Sequence, residues 1–147
     1  MARASRGVKR DKRETFTAEE RAAMREYVRE KKAQASGADG EAEVLAKIAA
    51  MPEHDRELAQ RIHAIVKDVA PSLGSRTWYG MPAYTKDGQV VCFVQPASKF
   101  KARYLTLGFG DKAKLDEGAM WPTSYAVSAL GPEEEAAIAA LLRKAVG

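Results

Sequence analysis

The apolar residues of the first half of the chain recur at helical spacing. Five of them follow one another at intervals of four, three, one and three residues: Leu58, Ile62, Ile65, Val66 and Val69. This period places them on one face of a helix, which Pro71 ends and which Pro52 separates from a shorter helix over residues 41–51. The pattern therefore predicts two helices that bury an apolar face.

An earlier stretch predicts a helix that lies on the surface. Thr17 and Glu20 have the spacing of a capping box, and residues 18–35 are rich in strong helix formers. The apolar stripe of this helix is narrow. It consists of Met24, Tyr27 and Val28. Residues 36–40 are rich in small and turn-forming types, which predicts a linker.

After Gly74 the chain changes to aromatic and β-branched residues with turn signals, which is typical of antiparallel strands. Asp87-Gly88 lies just before the apolar run 90–94 and predicts a hairpin with a type I′ turn, because both central residues of that turn need positive φ. The other segments with strand character are residues 102–107 and 124–128.

Two more helices are predicted in the second half. One is a short helix near residues 112–115, and the other is a C-terminal helix that Gly131-Pro132 opens. Helices, then strands, then a closing helix predict an α+β domain whose helices pack on one face of a small antiparallel sheet. This domain is expected over residues 41–147, after a surface helix with its linker over residues 15–40.

Positive charge is concentrated at the N-terminus. Residues 1–13 carry a net charge of +5, whereas residues 14–147 carry −1. Dense like charge without apolar periodicity predicts a disordered arm over residues 1–14, which would contact nucleic acid weakly. The basic residues of the arm are Arg3, Arg6, Lys9, Arg10, Lys12 and Arg13.

No segment of the sequence is apolar for long enough to span a bilayer. The longest apolar run, residues 136–142, is far shorter than the roughly 20 residues required. The N-terminus also lacks the apolar stretch of a secretory signal. The single cysteine, Cys92, lies in an apolar run and is expected to be buried in a reducing compartment. We therefore predict a cytoplasmic protein that contacts no membrane and needs no cofactor.

No set of residues in the sequence predicts catalysis. His54 and His63 are nine residues apart on one predicted helix and point in opposite directions, so they are not expected to share a metal ion. Acidic clusters begin two helices, where they suit the helix dipole, although they would also offer oxygen ligands to iron or magnesium. The clusters are Glu53, Asp55 and Glu57, and Glu133, Glu134 and Glu135.

The segment over residues 78–84 places four large side chains around a glycine and a proline. Such residues suit either a core or the wall of a small-ligand pocket. We expect Trp78 to be more deeply anchored than Tyr84, which is nearer the hairpin. Lys99, Lys101 and Arg103 would alternate on the incoming strand, as a solvated face or an anion-binding wall. The predicted ligand-binding residues are Trp78, Tyr79, Met81, Tyr84, Lys101, Arg103 and Trp121.

Five consecutive features of the chain define a family resemblance. They are the helix over residues 58–71, the segment 77–84, the Asp87-Gly88 turn, the strand 90–94 and Leu107-Gly108-Phe109. In these features residues 41–147 resemble the YdhG-like domains of unknown function, and Tyr79-Gly80-Met81-Pro82-Ala83-Tyr84 is the specific part. The resemblance implies a frataxin-like arrangement of helices on an antiparallel sheet, and some members are described as iron chaperones.

These observations favour a non-enzymatic domain that binds a small ligand beside the aromatic segment. An iron-binding chaperone or carrier of the frataxin type, which the resemblance implies, is the first alternative. An adaptor that the basic arm tethers to a bacterial chromosome or ribosome is the second. An enzyme is the least favoured class, since no base, nucleophile and orienting group can be named together.

Overall fold

The computed structural model describes residues 16–35 and 40–147, with the backbone alone for residues 31–35. The described residues form four α-helices and five strands. The helices are α1 (Ala18–Ala35), α2 (Gly40–Ala49), α3 (Glu53–Val69) and α4 (Pro132–Val146). The strands are β1 (Gly74–Trp78), β2 (Met81–Lys86), β3 (Gln89–Gln95), β4 (Leu105–Phe109) and β5 (Ser124–Val127). The basic arm predicted over residues 1–14 lies outside the described residues.

The five strands form one antiparallel sheet in the order β1-β2-β3-β4-β5, so each strand pairs with its neighbour in the chain. This confirms the predicted α+β class. None of the helices in the described part of the chain is both long and apolar enough to cross a membrane.

Two tight turns join the first three strands, and both have positive φ at their central residues. Asp87 and Gly88 have φ values of 53° and 76°, which confirms the predicted type I′ hairpin turn. Tyr79 and Gly80, between β1 and β2, have φ values of 51° and 76°. The sequence did not predict this second turn of the same kind, because positive φ is uncommon for tyrosine.

The register divides the sheet residues between two faces. Tyr84 pairs with Cys92, and Cys92 pairs with Phe109, so these three side chains share one face. Their neighbours Ala83 and Phe93 pair with each other on the opposite face. Tyr84, Cys92 and Phe109 belong to the main buried cluster, to which α2, α3 and α4 also contribute. The helical members of that cluster are Val44, Ile48, Leu58, Ala59, Ile62, Val66, Ile138, Leu142 and Ala145.

The segment before β4 differs from its prediction. Ser98–Phe100 form a short 3-10 turn, and Lys101 follows in a left-handed conformation with φ 56°. Strand β4 therefore begins at Leu105 rather than at residue 102. The prediction that Lys99, Lys101 and Arg103 alternate on a strand is wrong, because the chain turns at these residues.

The short helix predicted near residues 112–115 is also absent from the structure. Ala113 and Leu115 are buried instead in a non-helical segment. The Lys114 N–H donates a hydrogen bond of 2.9 Å to the carbonyl oxygen of Ala145 near the end of α4. Local propensity favours a helical turn at residues 112–115, but this contact with a distant part of the chain holds the segment in a non-helical conformation.

Helix α1 lies on the surface, as predicted. Among its described side chains Ala23 alone is buried, whereas Met24 and Val28 are 42% and 56% exposed. The Thr17–Glu20 capping box is present, with hydrogen bonds of 3.0 and 3.1 Å in the two directions. Helix α1 thus has a well-formed start but little apolar contact with the rest of the protein.

Candidate functional site

A groove of about 450 Å³ lies between α1 and α2 and extends to β1. Its lining is charged or small. The lining residues are Glu26, Arg29, Glu30, Glu43, Ala46, Lys47, Ala50 and Thr77. The groove forms because α2 turns Val44 and Ile48 into the core and leaves its polar and alanine positions on the other side. The hydroxyl of Thr77 donates to Glu43 Oε2 across 3.2 Å and links α2 to β1.

Glu26 of α1 connects three parts of the protein at one side of the groove. One carboxylate oxygen accepts a hydrogen bond from Lys47 Nζ at 2.9 Å, and the other lies 3.3 Å from Lys99 Nζ. Burial is the largest single influence on the pKa of Glu26 and raises it, but Lys47 and Lys99 together outweigh burial. The pKa of Glu26 is therefore lower than its ordinary value, and the carboxylate is ionised at neutral pH.

Glu30 is one helical turn further along α1 and reaches the turn between β1 and β2. Its Oε2 accepts a hydrogen bond of 2.9 Å from the backbone N–H of Gly80. Its Oε1 is buried and has no hydrogen-bond partner. Position 80 must be glycine here, because its φ is positive and a Cβ would overlap Glu26 Oε2 and come within 2.6 Å of Lys99 Nζ.

Aromatic rings join α1 to the same turn. The rings of Tyr27 and Tyr79 are stacked, with centroids 4.2 Å apart and an interplanar angle of 13°. Trp78 contacts Tyr79 edge-on at 5.0 Å and Phe93 at 5.2 Å. In the aromatic segment predicted to line a pocket, Tyr79 therefore packs against α1, and Trp78 supports the ring of Tyr79 from the side.

The structure distributes the seven predicted ligand-binding residues over several environments. Tyr84 and Met81 are buried, at 0% and 5% exposure, and Trp121 packs against the main core cluster. Lys101 is paired with Glu19 at 3.1 Å, and Arg103 lies over the ring of Tyr104. Trp78 and Tyr79 border the contact with α1. The expected depth order is reversed, since Trp78 is half-buried and Tyr84 is fully enclosed.

A chain of polar groups runs from the surface into the core. Glu41 Oε1 lies 3.4 Å from His63 Nε2, and His63 Nδ1 lies 2.8 Å from the hydroxyl of Tyr84. Burial raises the pKa of Tyr84, so its hydroxyl stays protonated. Because the Glu41 carboxylate can only accept, we assign the imidazole hydrogen to Nε2, and Nδ1 then accepts from the hydroxyl of Tyr84. Tyr84 is 0% exposed, so a substrate cannot reach its hydroxyl without opening the core. The chain is therefore structural in this conformation.

Cys92, the cross-strand neighbour of Tyr84, is buried and free as predicted. Burial raises the pKa of Cys92 to about 12, so the thiol is not ionised at neutral pH. Because the thiolate is the nucleophilic form, Cys92 acts as a small apolar core residue.

Asp55 has a role that the sequence did not indicate. It is 4% exposed, and its carboxylate accepts hydrogen bonds from the backbone N–H groups of Ala97 and Ser98, both at 3.1 Å. The Ser98 hydroxyl donates a third bond at 2.7 Å. Asp55 therefore fixes the segment between β3 and β4, which leads to Lys99 and Lys101.

The two histidines lie apart, as their spacing predicts. His54 Nε2 is 2.9 Å from the carbonyl oxygen of Ser128, whereas His63 is in the interior. Within residues 16–35 and 40–147, no three histidine, cysteine or acidic side chains are grouped so that they could bind a metal ion. The geometry of this part of the chain therefore adds no support to an iron site.

Comparison with family models, curated proteins and solved structures found no match to this chain. The resemblance to YdhG-like domains accordingly stays a prediction.

The carboxylate of Glu26 predicts that acid loosens α1. Its pKa in the folded protein lies below the ordinary value of 4.5, so its stabilising contribution is complete above that value and is lost as the pH falls through the folded pKa. We expect the amide NMR signals of α1 and Gly80 to shift below about pH 4.5 while core signals persist. In Glu26→Gln the shift of the residues around position 26 should be much smaller, while the residues near the Glu19–Lys101 pair at the start of α1 still respond to acid. Unchanged α1 signals in the parent protein down to acid unfolding would contradict the prediction.

Proposed function

We propose that this protein is a non-enzymatic binding domain that takes a small ligand with an ammonium or guanidinium group into the groove between α1 and α2. One observation carries the proposal: Glu30 Oε1 is buried beside the groove without a hydrogen-bond partner. A buried carboxylate oxygen left without a donor costs free energy, which a cationic donor from a ligand would recover once the Glu30 side chain turns Oε1 into the groove that it lines.

The other charges of the groove support the same choice of ligand. Glu26 is already neutralised by two lysines, and Lys47 is one of them. Glu43 uses one oxygen for the hydroxyl of Thr77. The carboxylate acceptors left in the lining are therefore Glu30 Oε1 and the second oxygen of Glu43, while Arg29 is the cation of the lining that could hold an anionic group of the same ligand. Ala46 and Ala50 supply short apolar side chains, which leave space for the carbon skeleton of a small amine.

A binding role suits this site better than catalysis. The polar chain best able to move a proton, Tyr84 with His63, is enclosed in the core and away from the groove lining. An iron carrier finds no cluster of ligands within the described residues. The tether to nucleic acid through residues 1–13 lies outside the described residues.

The proposal is tested by NMR titration with arginine, lysine and a short diamine as probes. We expect amide shifts confined to α1, α2 and residues 77–80, because the ligand cation would bind between Glu30 and Glu43. Glu30→Gln should weaken binding about tenfold or more, since it removes the charged acceptor. Glu53→Gln, which changes the same charge on exposed α3, is the matched control and should bind as the parent does. Equal binding by parent and Glu30→Gln, or no response to any probe, would overturn the proposal.

A further inference from the structure

The surface beneath α1 has three lysines that are paired with carboxylates of α1. Glu26 bridges Lys47 and Lys99, and Glu19 pairs with Lys101 at 3.1 Å. The lysines come from α2 and from the segment between β3 and β4, so they belong to the body of the domain. Without α1 this body would present three ammonium groups along one surface.

The same surface has two further groups that suit a phosphate and a base. The turn between β1 and β2 directs the backbone N–H of Gly80 at a carboxylate, Glu30 Oε2. Backbone N–H groups in turns with positive φ are common anion-binding groups. Directly before this N–H, Tyr79 offers a ring face, which Tyr27 covers in a parallel stack. The carboxylate of Glu30 thus lies where an anion would bind, and the ring of Tyr27 lies where a base would stack on Tyr79.

We propose that residues 47, 79, 80, 99 and 101 form a binding surface for single-stranded nucleic acid, and that α1 covers it as an internal competitor. The carboxylates of Glu19 and Glu26 take the places of phosphates, and the ring of Tyr27 takes the place of a base. Proteins that bind single strands without sequence preference combine these two elements, a cationic surface and an aromatic stacking platform. This proposal is independent of the groove ligand proposed above.

A strand fits this surface better than a single phosphate group. Glu19 and Glu26 are seven residues apart on α1, which corresponds to about 10 Å along the helix axis. The lysine that pairs with Glu19 is therefore separated from the two lysines that share Glu26. Several phosphates in a row would satisfy both positions, with a base placed on Tyr79.

The contacts of α1 make it displaceable. Ala23 is its one buried residue among those with a described side chain, and the large apolar residues Met24 and Val28 face solvent. Ion pairs, one backbone hydrogen bond and one ring stack provide its side-chain contacts with the lysine surface and the turn. The Glu19–Lys101 pair is largely exposed, so it contributes little stability and weakens with salt. Glu26 and Lys99 are mostly buried, at 15% and 17% exposure, so a polyanion has to replace Glu26 as the partner of Lys47 and Lys99. A polyanion can therefore compete with α1 without unfolding the core.

The test measures binding of a fluorescent oligothymidylate of about 12 nucleotides by anisotropy, using the full chain. The double variant Glu19→Gln/Glu26→Gln should bind at least about tenfold more tightly than the parent, because the lysines are released. Glu53→Gln/Glu133→Gln makes the same change of net charge at exposed helix starts elsewhere and should bind as the parent does. Tyr27→Ala is a second way to release α1 and should also tighten binding. Thermal unfolding checks that each variant retains a cooperative fold.

Two further sets of substitutions in the released variant identify the surface. Adding Lys47→Ala and Lys99→Ala to the released variant should return its affinity to the parent level, while the basic arm remains unchanged in both. Adding Tyr79→Ala to the released variant should weaken oligothymidylate binding about tenfold or more but leave polyphosphate binding unchanged, since only the base stacks on the ring.

Four outcomes would overturn the proposal. The first is equal oligonucleotide affinity of the parent and both released variants, and the second is equal tightening by the control pair of glutamines. The third is binding of thymidine monophosphate as tight as that of the oligomer, which would indicate a nucleotide site. The fourth is an oligothymidylate affinity of the released variant that Tyr79→Ala leaves unchanged, which would indicate a general polyanion surface.

Discussion

Replacement of Tyr84 by alanine is expected to lower the free energy of unfolding by about 3–5 kcal/mol. The ring is fully enclosed, on the sheet face that contributes to the main cluster with α2, α3 and α4. The change leaves a cavity and removes the hydroxyl that donates to His63 Nδ1. Domains are commonly stable by only about 5–15 kcal/mol, so this loss removes a large share of the free energy of unfolding. Urea unfolding would measure the loss, provided that the free energy of unfolding falls with urea concentration at the same slope in the variant and the parent.

Two companion variants separate packing from hydrogen bonding. Tyr84→Phe keeps the ring and should cost about 1–3 kcal/mol, because His63 Nδ1 loses its donor in the interior. Trp78→Ala should cost less than Tyr84→Ala, since Trp78 is half-buried and contacts Tyr79 and Phe93 at their edges. A Trp78→Ala variant less stable than Tyr84→Ala would show that the burial order is misassigned.

Asp55→Ala is expected to have the second largest effect, a loss of about 3 kcal/mol. The substitution leaves the backbone N–H groups of Ala97 and Ser98 without their acceptor in a part-buried site. Because the 3-10 turn that follows carries Lys99, the contacts of α1 should loosen as well. Urea unfolding gives the free energy, and amide exchange of residues 97–101 locates the change.

Glu57→Ala is the matched control for Asp55. It removes another carboxylate from the first turns of α3, but Glu57 is exposed. Its cost should stay within about 0.5 kcal/mol. Similar losses for the two variants would mean that helix-dipole interaction, rather than the hydrogen bonds to the segment after β3, explains the effect of Asp55.

The proposals together describe α1 as the functional element of this protein. It forms one wall of the groove through Glu26, Arg29 and Glu30, and it covers the lysines and Tyr79. A ligand that bridges α1 and α2 in the groove would stabilise the covered state and so oppose nucleic acid binding. The thermodynamic coupling would be reciprocal, so nucleic acid would also weaken ligand binding.

Part of the candidate site could be predicted from the sequence. Residues 78–80 were singled out because aromatic side chains beside a glycine suit a core or the wall of a ligand pocket, whereas in the structure Tyr79 and Gly80 contact α1. The lysine positions were placed on the wrong element, because a strand pattern was extended through residues that form a 3-10 turn. The groove carboxylates Glu26, Glu30 and Glu43 gave no signal, since acidic residues on a surface helix are ordinary.

Features that depend on near neighbours in the chain could be predicted from the sequence alone. The period of α3 indicated its buried face, Asp87-Gly88 indicated its turn, and the apolar run around Cys92 indicated a buried strand. These follow from helical and strand geometry and from backbone sterics, which act over a few residues.

The contacts between side chains that are distant in the chain could not be predicted in this way. Glu26 and Lys99 are 73 residues apart in the chain, Asp55 and Ser98 are 43 apart, and His63 and Tyr84 are 21 apart. Whether a carboxylate lies in water, fixes a turn or neutralises a lysine depends on which elements pack together and in what register. Local sequence patterns do not indicate that packing. Acidic residues suit a surface helix and its dipole equally well whether or not a distant part of the chain contacts them.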